Sequence, residues 1–356
     1  MAKRILHVVA QEPVGGVGTF LTNSLTTDRD YDLAETVREE ESSFNQIMRQ
    51  KGVRIQAFPD FRQPLAYASF CKTWYQERAR QYAAIHVHSP AVALPHLYYA
   101  RKYGVPVRIY HAHGLHFGRA TLAKRFRNRL LVAAIQAWAT HLTACGHLVA
   151  EDVFGSEAEI TLLPNTIEIE AYAYKPQLAQ QLREELGLSV DARVLGMVGS
   201  FTANKNQGFA MDLLNRLGQP YHLVFIGDGE ERADLEARSQ ERVHFLGRRS
   251  PVADYYGLFD AFLLPSYSEG FPLVALEAQA NGLPCFFSKG LDTSIALTQN
   301  CHFLDLKRPE DWLAAIKEQR LVSEQERLKA YQILKGRFDL EQGQAALLKF
   351  YQKVLK

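Results

Sequence analysis

Strand-like and helix-like segments alternate along this chain, stop, and then start again, and that restart limits the fold more than any other feature. In the first half, residues 4–10, 53–58, 84–88, 107–111 and 141–145 read as strands, with helical apolar spacing at 67–81 and 122–138. A polar stretch, 168–191, carries a short helix at 177–186. Strands are then expected again at 194–199, 222–227, 243–247, 261–265 and 284–288. Alternation of this kind means a parallel sheet covered by helices. Two such runs predict an α/β chain with two Rossmann-like domains, 1–168 and 169–339. Ligands of these sheets bind beyond the C-terminal strand ends, so both sheets are expected to face one interdomain cleft.

The chain's 356 residues suffice for two domains. Its 47% hydrophobic and 22% charged residues are those of a globular protein rather than a disordered or membrane-spanning one. Met1-Ala2-Lys3-Arg4 leads into an apolar run too short for a signal peptide. Residues 130–150 are broken by Gln136, His141 and Gly146, which reads as a buried helix and a strand rather than a membrane span. Cys71, Cys145, Cys285 and Cys301 are scattered and are expected as reduced thiols in a cytoplasmic protein. Asp28-Arg29-Asp30-Tyr31-Asp32 has the alternating acids of a calcium loop, with Glu39 at the twelfth position. Leu33 stands where the turn glycine is required, so the stretch reads as a solvated turn and no metal is expected.

Net charge is only +2, but residues 78–150 hold ten Lys or Arg and no acid. Five of them are Arg119, Lys124, Arg125, Arg127 and Arg129, beside apolar Leu122, Phe126 and Leu130. Such a patch implies an anionic partner, a lipid surface or a lipid diphosphate, with nucleic acid the less economical reading.

The densest chemistry lies in Ser268-Glu269-Gly270-Phe271-Pro272-Leu273-Val274-Ala275-Leu276-Glu277. It reads as a strand end, a tight loop and a helix with Pro272 in its first turn. The free amides and positive dipole end of that helix make an anion site, flanked by two acids. A ligand with both phosphates and hydroxyls, such as a nucleotide sugar, suits it.

Glu, seven residues, Glu, with Gly-Phe-Pro after the first, resembles the signature of the retaining family-4 glycosyltransferases, whose fold is the two-domain GT-B. The resemblance extends along nearly the whole chain. Ile5-Leu6-His7-Val8 with Gly15-Gly16-Val17-Gly18 is similar to the family's first strand and glycine loop, where Gly16 lets backbone approach the donor. Ile109-Tyr110-His111-Ala112-His113-Gly114 resembles its strand-end histidines, with His113 first and His111 second as contacts to a sugar hydroxyl. Leu162-Leu163-Pro164-Asn165-Thr166-Ile167 resembles a corner near the hinge. Met197-Val198-Gly199-Ser200-Phe201-Thr202-Ala203-Asn204-Lys205 resembles the diphosphate loop, and implies that Lys205 neutralises the leaving group. Ser200 and Thr202 stand where the family has an arginine, and Arg248 or Arg249 is the expected substitute.

The resemblance further implies that Glu269 faces the donor sugar and that Glu277 holds the ribose hydroxyls. Amides of Gly270 and Phe271 bind hydroxyls or diphosphate, and backbone at Gly247 and Arg248 reads the base, commonly uracil. It also implies that the C-terminal helix, 340–356, returns to the first domain. The expected activity is transfer of a hexose or N-acetylhexosamine from a UDP-sugar, with no cofactor, to a saccharide acceptor. That acceptor is expected to be lipid-diphosphate-linked, in exopolysaccharide or capsule synthesis. Lys124, Arg125, Arg127 and Arg129 would then face the acceptor and the inner face of the cell membrane. A non-catalytic partner of the same fold and a nucleotide-sugar epimerase are the alternatives.

Overall fold

The computed structural model describes residues 3–13, 15–36, 42–114, 122–156 and 158–356, with the side chains of 122–125 excepted. Two compact units result: Met1–Thr166 with Leu340–Lys356, and Ile167–Asp339.

The first unit is built on β1 (Arg4–Gln11), β2 (Tyr31–Thr36), β3 (Arg54–Phe58), β4 (Tyr82–Val87), β5 (Val107–Ala112), β6 (His141–Ala144) and β7 (Ile160–Leu162). They form a parallel sheet in the order β3-β2-β1-β4-β5-β6-β7. Central strands are buried along almost their whole length, which is why they read as continuous apolar runs. The helix Leu340–Val354 belongs to this unit, and its Leu347, Phe350 and Tyr351 pack into a core with Ile5, Val9 and Leu21.

β2 corrects the sequence reading. Asp32 is fully buried in a strand rather than in a solvated turn. Its Oδ1 accepts from Arg4 Nε at 2.6 Å and Arg54 Nε at 2.9 Å, and its Oδ2 from Tyr82 Oη at 2.6 Å. A buried carboxylate is tolerated when its lone pairs are met by charge and hydroxyl donors, and parallel pairing supplies them from both sides. This knot ties the N-terminal ends of four strands. Glu39, the other acid of that pattern, lies outside the described residues.

The second unit repeats the plan with β8 (Arg193–Val198), β9 (Tyr221–Ile226), β10 (Val243–Phe245), β11 (Ala261–Leu264), β12 (Cys285–Ser288) and β13 (Cys301–Leu304). The order is β10-β9-β8-β11-β12-β13, again parallel. In both sheets the winding reverses beside the first strand, which opens a crevice at the carboxyl ends of β1 and β4, and of β8 and β11. At the neighbouring ends of β8 and β9 backbone closes on backbone: a Cβ on Gly227 would lie 1.9 Å from the Gly199 oxygen, and Gly227 has φ +142°. Only glycine fits. Cys71, Cys285 and Cys301 are in no disulfide.

Candidate active site

Within the second unit, the loops after β8 and β11 are laced together. Asn204 Nδ2 donates to the Ser268 oxygen at 2.7 Å, the Tyr267 amide to the Asn204 oxygen at 2.9 Å, and Ser268 Oγ to Asn204 Oδ1 at 3.0 Å. Asn206, in the left-handed region at φ 58°, turns the first loop into the helix Gln207–Leu217. The lacing brings Lys205 Nζ to 2.8 Å from Glu269 Oε1, with both side chains mostly sheltered from solvent. Sequence singled out each residue separately; their pairing across 64 positions is a finding of the structure.

The helix after Glu269 runs Leu273–Ala280, so Pro272 caps it in an extended conformation rather than sitting in its first turn. Phe271 is buried and stacked on Phe338, which holds the loop against the unit. Glu277, in the middle of the helix, is buried. Burial pushes its pKa up, while hydrogen bonds from Tyr256 and Tyr172 and the charge of Lys205 pull it down. Tyr256 Oη donates to Glu277 Oε2 at 2.5 Å. A carboxylate offers about four acceptor sites, so two phenols leave capacity for a pair of vicinal hydroxyls. Sequence reading missed both tyrosines, since neither lies in a motif.

Arg248 is exposed, and the Arg249 guanidinium lies over the Tyr255 ring at 5.9 Å. Arg232 was not anticipated: its Nη1 lies 3.2 Å from where a Gly247 Cβ would stand, and its Nε pairs with Glu236 at 2.7 Å. Gly16 begins the helix Gly16–Ser24 in the first unit, where an added Cβ would meet Asn165 Nδ2 at an ordinary 3.5 Å. Gly18 is the tighter position, with the Pro13 oxygen at 2.7 Å.

The first unit's strand ends hold histidines instead of charges. His7 and His86 sit opposite each other on β1 and β4, His88 follows β4, and His111 and His113 lie at the end of β5. Their rings stack at 5.2 Å for His7 and His86 and 4.4 Å for His86 and His88, and lie tilted at 3.9 Å for His111 and His113. A hydrogen-bonded line runs from His113 Nε2 to His88 Nδ1 (2.9 Å), His88 Nε2 to His7 Nδ1 (2.9 Å) and His7 Nε2 to Tyr351 Oη (3.2 Å). It ends at His86 Nδ1, 2.7 Å from Tyr351 Oη. Desolvation lowers every one of these imidazole pKa values, to about 3 for His7 and His113. All five are therefore neutral near pH 7, each with one donor and one acceptor nitrogen. His113 is partly exposed and His111 fully buried, though the Nδ1 of His113 is itself buried and its Nε2 faces His88.

The basic stretch forms the helix Leu122–Trp138. Arg127 and Arg129 are exposed on it, as are Phe126 and Leu130. With Pro90, Leu94 and Pro95, Arg127, Leu130 and Leu131 line a groove of about 780 Å³. Arg119 lies outside the described residues, as do the side chains of Lys124 and Arg125. No described helix is long and apolar enough to cross a membrane.

Two family models match the chain: "Glycosyl transferase 4-like domain" over residues 24–166 and "Glycosyl transferases group 1" over residues 192–319. A Bacillus subtilis (strain 168) protein named as a glycosyltransferase, EpsF, is 30% identical over 317 residues, 82% of this chain and 81% of its own length. The chain is a group 1 glycosyltransferase. An Escherichia coli relative, named UDP-Gal:alpha-D-GlcNAc-diphosphoundecaprenol alpha-1,3-galactosyltransferase, is 28% identical over 59% of each chain. The structure of Anabaena HepE in complex with UDP and glucose superposes with a TM-score of 0.82, covering 99% of this chain and 100% of that one at 17% identity. Such a likeness shows the GT-B fold shared by this glycosyltransferase and HepE. In this glycosyltransferase the Glu269 to Glu277 segment and Lys205 fall in the second unit, and the paired histidines of β5 in the first.

Proposed function

We propose that the protein moves a hexosyl or N-acetylhexosaminyl group from a UDP-sugar to a saccharide acceptor, with retention of anomeric configuration. The observation that carries this reading is the Lys205–Glu269 pair beside the buried, tyrosine-held Glu277. On donor entry the Lys205 ammonium exchanges its carboxylate partner for the diphosphate. Glu269 is thereby freed to accept from a sugar hydroxyl, and Glu277 accepts from the ribose hydroxyls. As the C1–oxygen bond breaks, the electron pair goes to the β-phosphate, whose growing charge Lys205 and the loop amides stabilise. The acceptor hydroxyl attacks the same face and gives its proton to the departing phosphate. His113, neutral, orients a hydroxyl by hydrogen bonding. The reading assigns the diphosphate charge to Lys205 and the loop amides and gives no step to a metal.

A UDP donor is favoured by the ligands of HepE and the name of the E. coli relative. That name also favours a lipid-diphosphate-linked acceptor, as do the acid-free basic stretch and the groove beside Arg127 and Leu130. The reading puts the enzyme on the cytoplasmic face of the membrane, in cell-surface polysaccharide synthesis. A panel of nucleotide sugars tests it, read by thermal midpoint and by nucleoside diphosphate release with a polyprenyl-diphosphate-linked sugar present. The expected result is a raised midpoint and UDP release with one UDP-hexose. If no nucleotide sugar gives either response, the donor assignment is wrong.

A further inference from the structure

We infer that His88, His111 and His113 form a binding site for one divalent transition-metal ion of the zinc, cobalt, nickel or copper class. One ring nitrogen from each of the three lies within 4.8 Å of the other two. His88 Nδ1 and His113 Nε2 already face each other at 2.9 Å. His111 is fully buried; among the described residues its one polar neighbour outside the cluster is the Leu163 backbone, and neither its ring nitrogens nor His113 Nδ1 makes a well-formed hydrogen bond. A neutral imidazole carries one N–H and one lone pair, so buried His111 presents one lone pair beside the facing nitrogens of His88 and His113, and a ligand that accepts all three is what the cluster suits. Phe20 walls the cluster edge-on, its centroid 4.7 Å from His111 and 5.3 Å from His113.

The surroundings fit a metal better than an anion. No charged side chain takes part in the hydrogen-bonded line, and each uncharged imidazole has one lone pair to give to a cation and no positive charge to attract an anion. Three nitrogens select borderline metals over magnesium or calcium, and three histidines leave a fourth position open to water. Tetrahedral sites with metal–nitrogen bonds of about 2.0–2.1 Å put ligand nitrogens about 3.3 Å apart, so the facing pair must open by a few tenths of an ångström. The histidine line also supplies the outer support that metal-bound imidazoles use. With Nδ1 of His88 on the ion, its Nε2–H donates to His7 Nδ1. His7 Nε2–H then donates to Tyr351 Oη, and Tyr351 O–H to His86 Nδ1. Every group in the line keeps one proton, and one tautomer of each ring is selected. The second histidine trio, His7, His86 and His88, is the poorer site, because those same hydrogen bonds already occupy most of its nitrogens.

His222 and His244, 3.1 Å apart in the second unit and partly exposed, are a rival place for adventitious metal, so the test starts from H222Q/H244Q protein without an affinity tag. After chelator stripping, the protein is titrated with cobalt and then with zinc. Stoichiometry, the visible absorption of tetrahedral cobalt and the thermal midpoint are recorded. The expected result is one ion per chain and a midpoint that rises with zinc. Affinity should fall at least tenfold in H111F, which keeps a ring of similar size, and in H88Q. H96Q, at a buried histidine elsewhere, should bind like the parent. Each variant counts only where its metal-free form melts cooperatively, and H111F and H88Q are read independently. Absence of stoichiometric binding, or binding unaltered in a folded H111F or H88Q protein, would overturn the proposal.

Discussion

The two sheets wind alike, yet their functional ends are chemically opposite. The carboxyl ends of β1, β4 and β5 carry five neutral imidazoles in van der Waals and hydrogen-bonded contact. The loops after β8 and β11 carry an ammonium–carboxylate pair and a carboxylate held by two phenols. The contrast teaches that winding fixes where a site lies and leaves its chemistry to the loops. A diphosphate requires fixed charge on its side, whereas a sugar hydroxyl requires only a neutral nitrogen that can donate or accept.

The largest expected effect concerns the histidine side. His7, His86, His88 and His111 have pKa values far below the ordinary 6.5, so the unfolded chain binds more protons than the native one as pH falls below 6.5. Stability is therefore full above that pH and is lost on acidification. Each buried histidine removes up to about 1.4 kcal/mol per pH unit, on the order of 5 kcal/mol for four between pH 7.5 and 5.5. Glu35 and Glu277, raised by burial, act with the opposite sign and temper the loss. Urea unfolding at the two pH values measures the difference. H111F should flatten the dependence by about one proton, and a pH-independent midpoint in the parent breaks the histidine half of the comparison.

Next comes the basic helix. Replacing Lys124, Arg125, Arg127 and Arg129 together with Gln should weaken binding to anionic vesicles by up to about 4 kcal/mol at low salt, at about 1 kcal/mol per charge. Vesicle cosedimentation tests it, and equal binding by both proteins would make the helix a solvated face. Lys205→Ala should slow sugar transfer about a hundredfold, roughly 2.7 kcal/mol, with a smaller change in donor affinity. A turnover number unchanged under saturating donor would remove Lys205 from the leaving-group site. Smallest is Glu277→Gln, expected to weaken UDP binding by roughly 1–3 kcal/mol.

Sequence carried much of this architecture and less of the site. The helix Leu122–Trp138 has the bounds that its apolar spacing predicts. The second strand was missed because Asp32 makes it look solvated, and its burial is tolerated through Arg4, Arg54, Gln56 and Tyr82, from three other strands. β13 was missed as well: its residues are only half-buried at a sheet edge, which blurs the apolar run. Lys205, Glu269 and Glu277 could be read from local patterns. Tyr172 and Tyr256 could not, being ordinary aromatic residues whose hydroxyls gain meaning only from the carboxylate they meet. Of the five histidines, His86 and His88 share the two-residue spacing of His111 and His113, yet only the second pair reads as a site, because His86 and His88 pass as part of a strand.

UDP affinity, measured by calorimetry on the parent, Glu277→Gln and His113→Gln proteins, tests the division of labour most directly. The account predicts binding weakened at least several-fold by Glu277→Gln and left as in the parent by His113→Gln. The reverse pattern, with UDP lost on changing His113 and kept on changing Glu277, would contradict it.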